Sequence, residues 1–325
     1  MNNIKIGDKT INTNVSLAPM AGITDYVLRS LVRKHSKTCL ITTEMISSEA
    51  LVQMPHANII NRANDHSPIA YQLSGHKPEL MARAAKILEP YADIIDINMG
   101  CPVNKVVKGQ DGCALMRNPS LAANVVKEIK ANVDKPVSVK FRLGYNADEL
   151  NFVEFGVKMQ EAGADFITIH ARTRSQMYAG KAAWAKIKEL KNNVTIPVFA
   201  NGDILSIDSA IECMEQSGAD GVAVGRGILG DVTLISRIEH YLATGEKLPP
   251  PTLEERVETL KIHLQEEIKL RREDVGIKFT RKFYPYYINS IKDAAKYRAN
   301  LVVEENYDNI IKILDNITNS MLIHQ

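Results

Sequence analysis

The sequence predicts a parallel (β/α)8 barrel, a TIM barrel in the α/β class, followed by a small all-α segment. Three observations carry that expectation. Eight short β-rich apolar runs alternate with amphipathic stretches from residue 15 to about residue 240, which is how a parallel sheet with crossover helices reads. No GxGxxG follows the first run, which argues against the rival, a doubly wound open sheet. Polar residues also share one parity at the C-terminal ends of three runs, where such folds bind ligands.

The strands are expected at 15–20, 39–45, 68–73, 93–99, 136–143, 165–171, 196–200 and 220–225. Helical patterns at 80–88, 121–131 and 150–162 lie between them, with Pro119 and Gly163 as start and stop signals. In the fourth run Ile95, Ile97 and Met99 point one way and Asp96 and Asn98 the other, the period of a strand. The run passes into Gly100, Cys101 and Pro102, a turn that presents a thiol just past the strand end. A lone cysteine can simply be buried and structural. The M-G-C-P turn, with Asn98 and Lys105 beside it, favours a catalytic Cys101 instead.

Side chains in a barrel strand alternate between the interior and the helix layer. Lys140 and Arg142 share one parity, as do Thr168, His170 and Arg172. With Asp96 and Asn98, these residues are expected to converge near the C-terminal mouth. Asn201-Gly202-Asp203 follows the seventh run and Gly225-Arg226-Gly227 the eighth. Loops in those two places are the usual phosphate site of the fold, and Arg226 adds a planar charged fork. The segment 105–115 is expected to be a lid over Cys101.

A chain of 325 residues can hold one large domain and one small one. The stretch Gly245-Glu246-Lys247-Leu248-Pro249-Pro250-Pro251 reads as a linker. The expected division is therefore 1–245 for the barrel and 246–325 for a helical domain, with helices at 253–270 and 304–317. Between residues 278 and 298, six basic residues (Lys278, Arg281, Lys282, Lys292, Lys296, Arg298) face the single acid Asp293, with aromatic residues interleaved. Such a mixture suits phosphate contact with base stacking; a core helix with a solvated basic face reads the same way. The four cysteines show no CxxC pair and no metal-ligand spacing, so no metal is expected, and free thiols suit a reducing compartment. No apolar run approaches a membrane span of about 20 residues. No apolar core follows Lys5, Asp8 and Lys9, so no signal peptide is expected and the location is expected to be cytoplasmic.

With these residues in hand, the chain resembles the tRNA-dihydrouridine synthases, most closely their bacterial B-like subgroup. The resemblance runs through Ala18-Pro19-Met20-Ala21-Gly22-Ile23-Thr24-Asp25, Gln72-Leu73-Ser74-Gly75, Asp96 to Pro102, and Lys140-Phe141-Arg142-Leu143-Gly144. It continues through Ile169 to Arg174, Asn201-Gly202-Asp203-Ile204 and Gly225-Arg226-Gly227. It is looser from Arg281-Lys282-Phe283 to Tyr287. It implies an FMN enzyme that uses NADPH to reduce the C5=C6 bond of particular uridines in tRNA. Hydride arrives at C6 from the reduced flavin, and Cys101 protonates C5. Lys140 is expected at the flavin N1–C2=O edge, where negative charge develops. Pro19, Met20, Ala21 and Gln72 are expected along the ring, and Asn201, Gly202, Asp203, Gly225 and Arg226 at the ribityl-phosphate end. Asn98, His170 and Arg172 are expected at the uracil, with His170 shared with the flavin; Arg281 and Lys282 are expected on tRNA. The chain is expected to act as a monomer, because a macromolecular substrate must reach the mouth. Two other readings remain: an FMN-dependent dehydrogenase of a free pyrimidine such as dihydroorotate, and an RNA-binding module on an inactive barrel.

Overall fold

The computed structural model describes residues 3–54 and 67–322. An antiparallel hairpin, β1 (Ile4–Ile6) and β2 (Lys9–Ile11), leads the chain. Its Ile4, Ile6 and Ile11 pack with Leu40, Ala70, Ile94, Phe166 and Phe199, which lie at or near the N-terminal starts of barrel strands. The hairpin therefore plugs the barrel floor, opposite the mouth.

The strands that follow are β3 (Val15–Leu17), β4 (Leu40–Thr42), the two-residue β5 (Ile46–Ser47), β6 (Ile69–Ser74), β7 (Ile94–Met99) and β8 (Val137–Arg142). They continue with β9 (Phe166–His170), β10 (Val198–Asn201) and β11 (Gly221–Val224). All pairings among them are parallel. Because β4 pairs with both β3 and β6, the sheet closes; β5 is a side branch on β6, and the other eight strands form the barrel. The expected fold class is the observed one.

Nine helices alternate with the strands among the described residues: α1 (Tyr26–His35), α2 (Ser48–Gln53), α3 (Pro78–Leu88), α4 (Asn104–Lys108), α5 (Pro119–Asn132), α6 (Phe152–Glu161), α7 (Trp184–Lys191), α8 (Ile207–Ser217) and α9 (Leu234–Thr244). Their apolar faces meet the outward faces of the strands in one continuous core, as when Phe155 of α6 stacks edge-on against Phe141 of β8 at 5.1 Å between ring centres. α9 stops at Gly245, which adopts a left-handed conformation.

The change of pattern read at residue 245 therefore coincides with a helix end. Residues 245–251 carry no regular structure, and Thr252 opens α10 (Leu253–Arg271) with a capping box to Glu255. The helices α11 (Glu273–Thr280), α12 (Tyr284–Tyr287), α13 (Ala294–Val303) and α14 (Tyr307–Leu322) complete the chain, and α10 packs against α1 of the barrel. The aromatic residues of this segment behave differently from the stacking expectation. Phe283, Tyr284 and Tyr287 are buried with Leu260, Leu264, Leu301 and Leu314, because burying an aromatic ring outweighs leaving it in water for a later partner. Tyr286 alone of that group is well exposed, at 41%.

Candidate active site

Register decides what faces the mouth. Gln72 pairs across to Asp96 and Asp96 to Ser138, forming one interior layer. Asn98, Lys140 and Thr168 form the next, and Arg142, His170 and Asn201 the last before the strands end. Above them opens a cavity of about 390 Å³, within the size range of small-molecule sites. It is lined by Pro19, Met20, Ala21, Gln72, Asn98, Cys101, Lys140, His170, Asn201, Gly202, Asp203, Gly225 and Arg226. All of these were singled out from the sequence. Arg172, Arg281 and Lys282 lie outside the lining, as does Asp96, although it shares a layer with Gln72.

The polar groups at the floor form a connected chain. Ser138 Oγ donates to Asp96 Oδ1 at 2.6 Å, and Gln72 Nε2 donates to Asp96 Oδ2 at 2.6 Å. Asn98 Nδ2 donates to Gln72 Oε1 at 2.8 Å. Asn98 Oδ1 accepts the backbone N–H groups of Gly100 (3.2 Å) and Cys101 (2.9 Å). Asn98 is thus committed to shaping the turn that carries Cys101. Burial lifts the Asp96 carboxyl to about 6, against the pull of the Ser138 and Gln72 hydrogen bonds.

Cys101 is half-buried at the cavity edge. Its turn is clamped from behind. Arg142 Nε donates to the Gly100 carbonyl at 2.9 Å, while Arg142 Nη1 holds the carbonyls of Thr173 (3.0 Å) and Met177 (2.7 Å). The buried thiol of Cys113 donates to the same Gly100 carbonyl at 3.1 Å, and the Cys113 N–H reaches the Cys101 carbonyl at 3.1 Å. Burial pushes the Cys113 thiol up to about 12, so it stays protonated and structural. The expected lid at 105–115 takes in all of α4 but its first residue and the first four residues of a 3-10 turn (Gly112–Arg117).

Lys140 is the cation of the floor. Burial, and then the neighbouring Arg142 charge, lower it to about 8. His170 is held well below its ordinary value by burial and by the positive charges of Arg142, Lys140, Arg172 and Arg226, so it is a neutral imidazole at pH 7.

The far end of the cavity is built by the last two βα turns. Asp203 accepts from Arg172 Nη2 at 2.5 Å and from Arg226 Nη2 at 3.1 Å. Desolvation alone would raise its carboxyl, but the hydrogen bonds from Arg172 and the Ala182 N–H hold it below the usual range. Arg172 itself is 1% exposed and ties the carbonyls of Ala179 (3.0 Å) and Gly180 (2.6 Å). The structure therefore places it behind the cavity wall, bracing Asp203 and hence Arg226. Gly202 has φ +118°, and a Cβ there would meet His170 Cδ2 at 2.9 Å, so a side chain in this turn would be strained and would displace the imidazole.

The residues suit a flavin. At Gly225 a Cβ would approach Met20 Sδ at 3.7 Å and Asn201 Nδ2 at 3.9 Å, so its absence opens a cradle beside the apolar wall of Ala18, Pro19 and Met20. Lys140 at the floor and Arg226 at the far end are cations that could face an anionic ring edge and an anionic tail.

Six lining residues escaped sequence reasoning: Met45, Val103, Tyr178, Leu205, Leu229 and Tyr286. Tyr178 is 52% exposed, with its ring 5.5 Å from the Arg142 guanidinium and 5.4 Å from that of Arg226. It lies in an irregular loop, where no periodicity marks direction. Tyr286 comes from the helices beyond the linker, so its place at the mouth depends on how they dock.

Among the described residues no cluster of His, Cys, Asp and Glu could hold a metal ion, and no helix is long and apolar enough to cross a membrane.

Comparison with known proteins is consistent with this site. The sequence profile of the dihydrouridine synthase family matches residues 16–320. The chain is 41% identical to a probable tRNA-dihydrouridine synthase 1 of Synechocystis sp., covering 92% of this chain and 84% of that one. It is 35% identical to the tRNA-dihydrouridine synthase B of Pseudomonas putida, covering 92% and 89%. In fold it is similar to a histamine dehydrogenase from Rhizobium sp. 4-9, with a TM-score of 0.58 over 86% of this chain and 50% of that one, at 14% identity. The chain belongs to the dihydrouridine synthase family of flavin-dependent oxidoreductases.

Proposed function

We propose that the enzyme reduces the C5=C6 bond of uridines in tRNA, with FMN as its flavin and NADPH as its reductant. The observation that carries the reading is one cavity that gathers a half-exposed thiol, a floor ammonium, an apolar wall and an arginine fork. When bound, FMN supplies the hydride for C6 of the uracil. The Cys101 thiol gives its proton to C5 on the other side of the double bond, so one hydride and one proton together yield dihydrouridine. Lys140 would hold positive charge beside the bound flavin and so favour its anionic form. Pro19, Met20, Ala21 and Gln72 flank the ring, and His170 presents a neutral edge beside it. Asn201, Gly202, Asp203, Gly225 and Arg226 receive the phosphate end, with Arg172 holding that end in shape.

In this reading residues 1–245 are the catalytic domain and 246–325 the part that docks tRNA. Lys278, Lys292 and Lys296 are exposed cations of that segment. Arg281 is partly exposed beside them, with Glu305 at 3.7 Å and the Glu304 carbonyl at 3.2 Å. A cytoplasmic monomer fits a large RNA substrate that must reach the mouth. The match to the family profile includes the C-terminal helices, which a dehydrogenase of free pyrimidines would not require. The test is spectroscopic. Purified protein is expected to be yellow, bleached by NADPH, and reoxidised by tRNA lacking dihydrouridine but not by orotate. Reoxidation by orotate would overturn the reading.

A further inference from the structure

The turn 20–25 walls one side of the cavity through Met20, Ala21 and Ile23. It is tight: Ile23 and Thr24 both donate to the Met20 carbonyl at 2.9 Å, and Thr24 Oγ1 accepts from the Met20 N–H at 2.9 Å. Its outer side is held by residues almost the whole chain away. Lys282 Nζ donates to the Gly22 carbonyl, and Arg271 Nη2 pairs with Asp25 Oδ2. Asp25 in turn caps α1 by accepting from the Leu28 N–H at 3.1 Å. Both cations are fixed from behind by one ring: the Phe279 centroid lies 3.2 Å from Lys282 Nζ and 3.9 Å from the Arg271 guanidinium. Arg271 is braced further by the fully buried Glu267 at 2.8 Å.

We infer that Lys282 is a positioning residue of the flavin site: with Arg271 and Phe279, it buttresses the 20–25 turn from the helical segment. An ammonium bonded to a barrel carbonyl, and lying against Phe279 and Phe283, is directed inward and not toward an RNA phosphate. The helices after the linker therefore complete the cofactor wall. This rests on the reading that Met20 and Ala21 flank the flavin ring.

The test uses the full chain stripped of flavin and titrated with FMN and with riboflavin, followed by quenching of flavin fluorescence. Lys282→Met keeps the stem on the two phenylalanines and removes only the donor and charge. It is expected to weaken both flavins equally, by about tenfold, the size of one charge-assisted hydrogen bond, and to accelerate amide hydrogen exchange in residues 20–25. Lys282→Arg, which can still donate, is expected to restore both, and Lys269→Ala, an exposed change on α10, to leave both at wild-type values. Unchanged affinity and exchange in Lys282→Met would overturn the inference, as would a loss confined to FMN, which would put the effect at the phosphate. Failure of the wild-type chain to bind either flavin would overturn the cofactor reading instead, and hydrogen exchange at 20–25 would still decide the buttress.

Discussion

The barrel mouth and the helical segment carry similar side chains yet differ in how they use them. At the mouth, lysine, arginine, histidine and asparagine project from strand ends, and the period of two with the parallel register fixes where each one goes. Asn98, Lys140 and Thr168 fall side by side for that reason, as do Arg142, His170 and Asn201. In the segment after residue 252, position along a helix leaves the partner open. Lys282, Arg281 and Lys278 are close in sequence, but the first is bonded to Gly22, the second is held near Glu304 and Glu305, and the third is exposed with Glu305 at 3.9 Å. Charge in a strand of known parity therefore predicts a site, whereas charge in a helix predicts only a choice between pairing and solvent.

Substitutions can break or sharpen that contrast. The largest effect is expected at the mouth. Cys101→Ala should lower dihydrouridine formation by about 10²–10⁴-fold, as loss of a general acid does, while flavin content and NADPH oxidation persist. Product analysis of treated tRNA checks it, and near-normal turnover would remove Cys101 from its role.

Arg226→Ala should weaken FMN by about 10–100-fold, the range for a hydrogen bond to a charged group, and leave riboflavin affinity nearly unchanged. The comparison of the two flavins by fluorescence titration isolates the phosphate.

The next effect is one of pH. Lys140 lies near 8, lowered from its ordinary value, so without ligand its ammonium is present below that pH and lost above it. An anionic flavin favours the ammonium. Affinity should thus be highest below pH 8 and fall as the pH rises through it, by at most about tenfold per unit. Lys140→Met should bind more weakly and show a flatter profile between pH 7 and 9.

The smallest effect belongs to the helices. Lys292→Ala with Lys296→Ala should reduce the salt slope of tRNA binding by about one for each phosphate left without its cation, a few-fold in affinity at moderate salt, with FMN binding intact. An unchanged slope would place docking elsewhere.

Most of the barrel and most of the cavity lining were legible in the sequence because both follow from alternation and from turn residues at strand ends. What escaped had long-range or loop-borne causes. Arg172 shares its parity with His170, yet it sits beyond the end of β9, where the chain has left the strand and its guanidinium turns back to Asp203. Tyr178 rides a loop whose path is set by the carbonyls that Arg142 and Arg172 collect. The aromatics of the last helices read equally well as stacking platforms or core. Only their packing with Leu260, Leu264 and Leu301 distinguishes the two.

The floor chain from Asp96 to Cys101 has one more property: it has a direction. A carboxylate can only accept, so Asp96 turns the amide nitrogen of Gln72 toward itself and leaves the Gln72 oxygen facing Asn98. That oxygen draws the Asn98 nitrogen, which aims the Asn98 oxygen at the amide of Cys101. Each amide could be flipped in isolation, but one negative charge at the start of the chain sets the sense of them all. Below about pH 6, where Asp96 takes up a proton, the message becomes ambiguous, because a carboxylic acid can both give and receive. The orientation of the turn that carries Cys101 is thus written by a group outside the cavity lining.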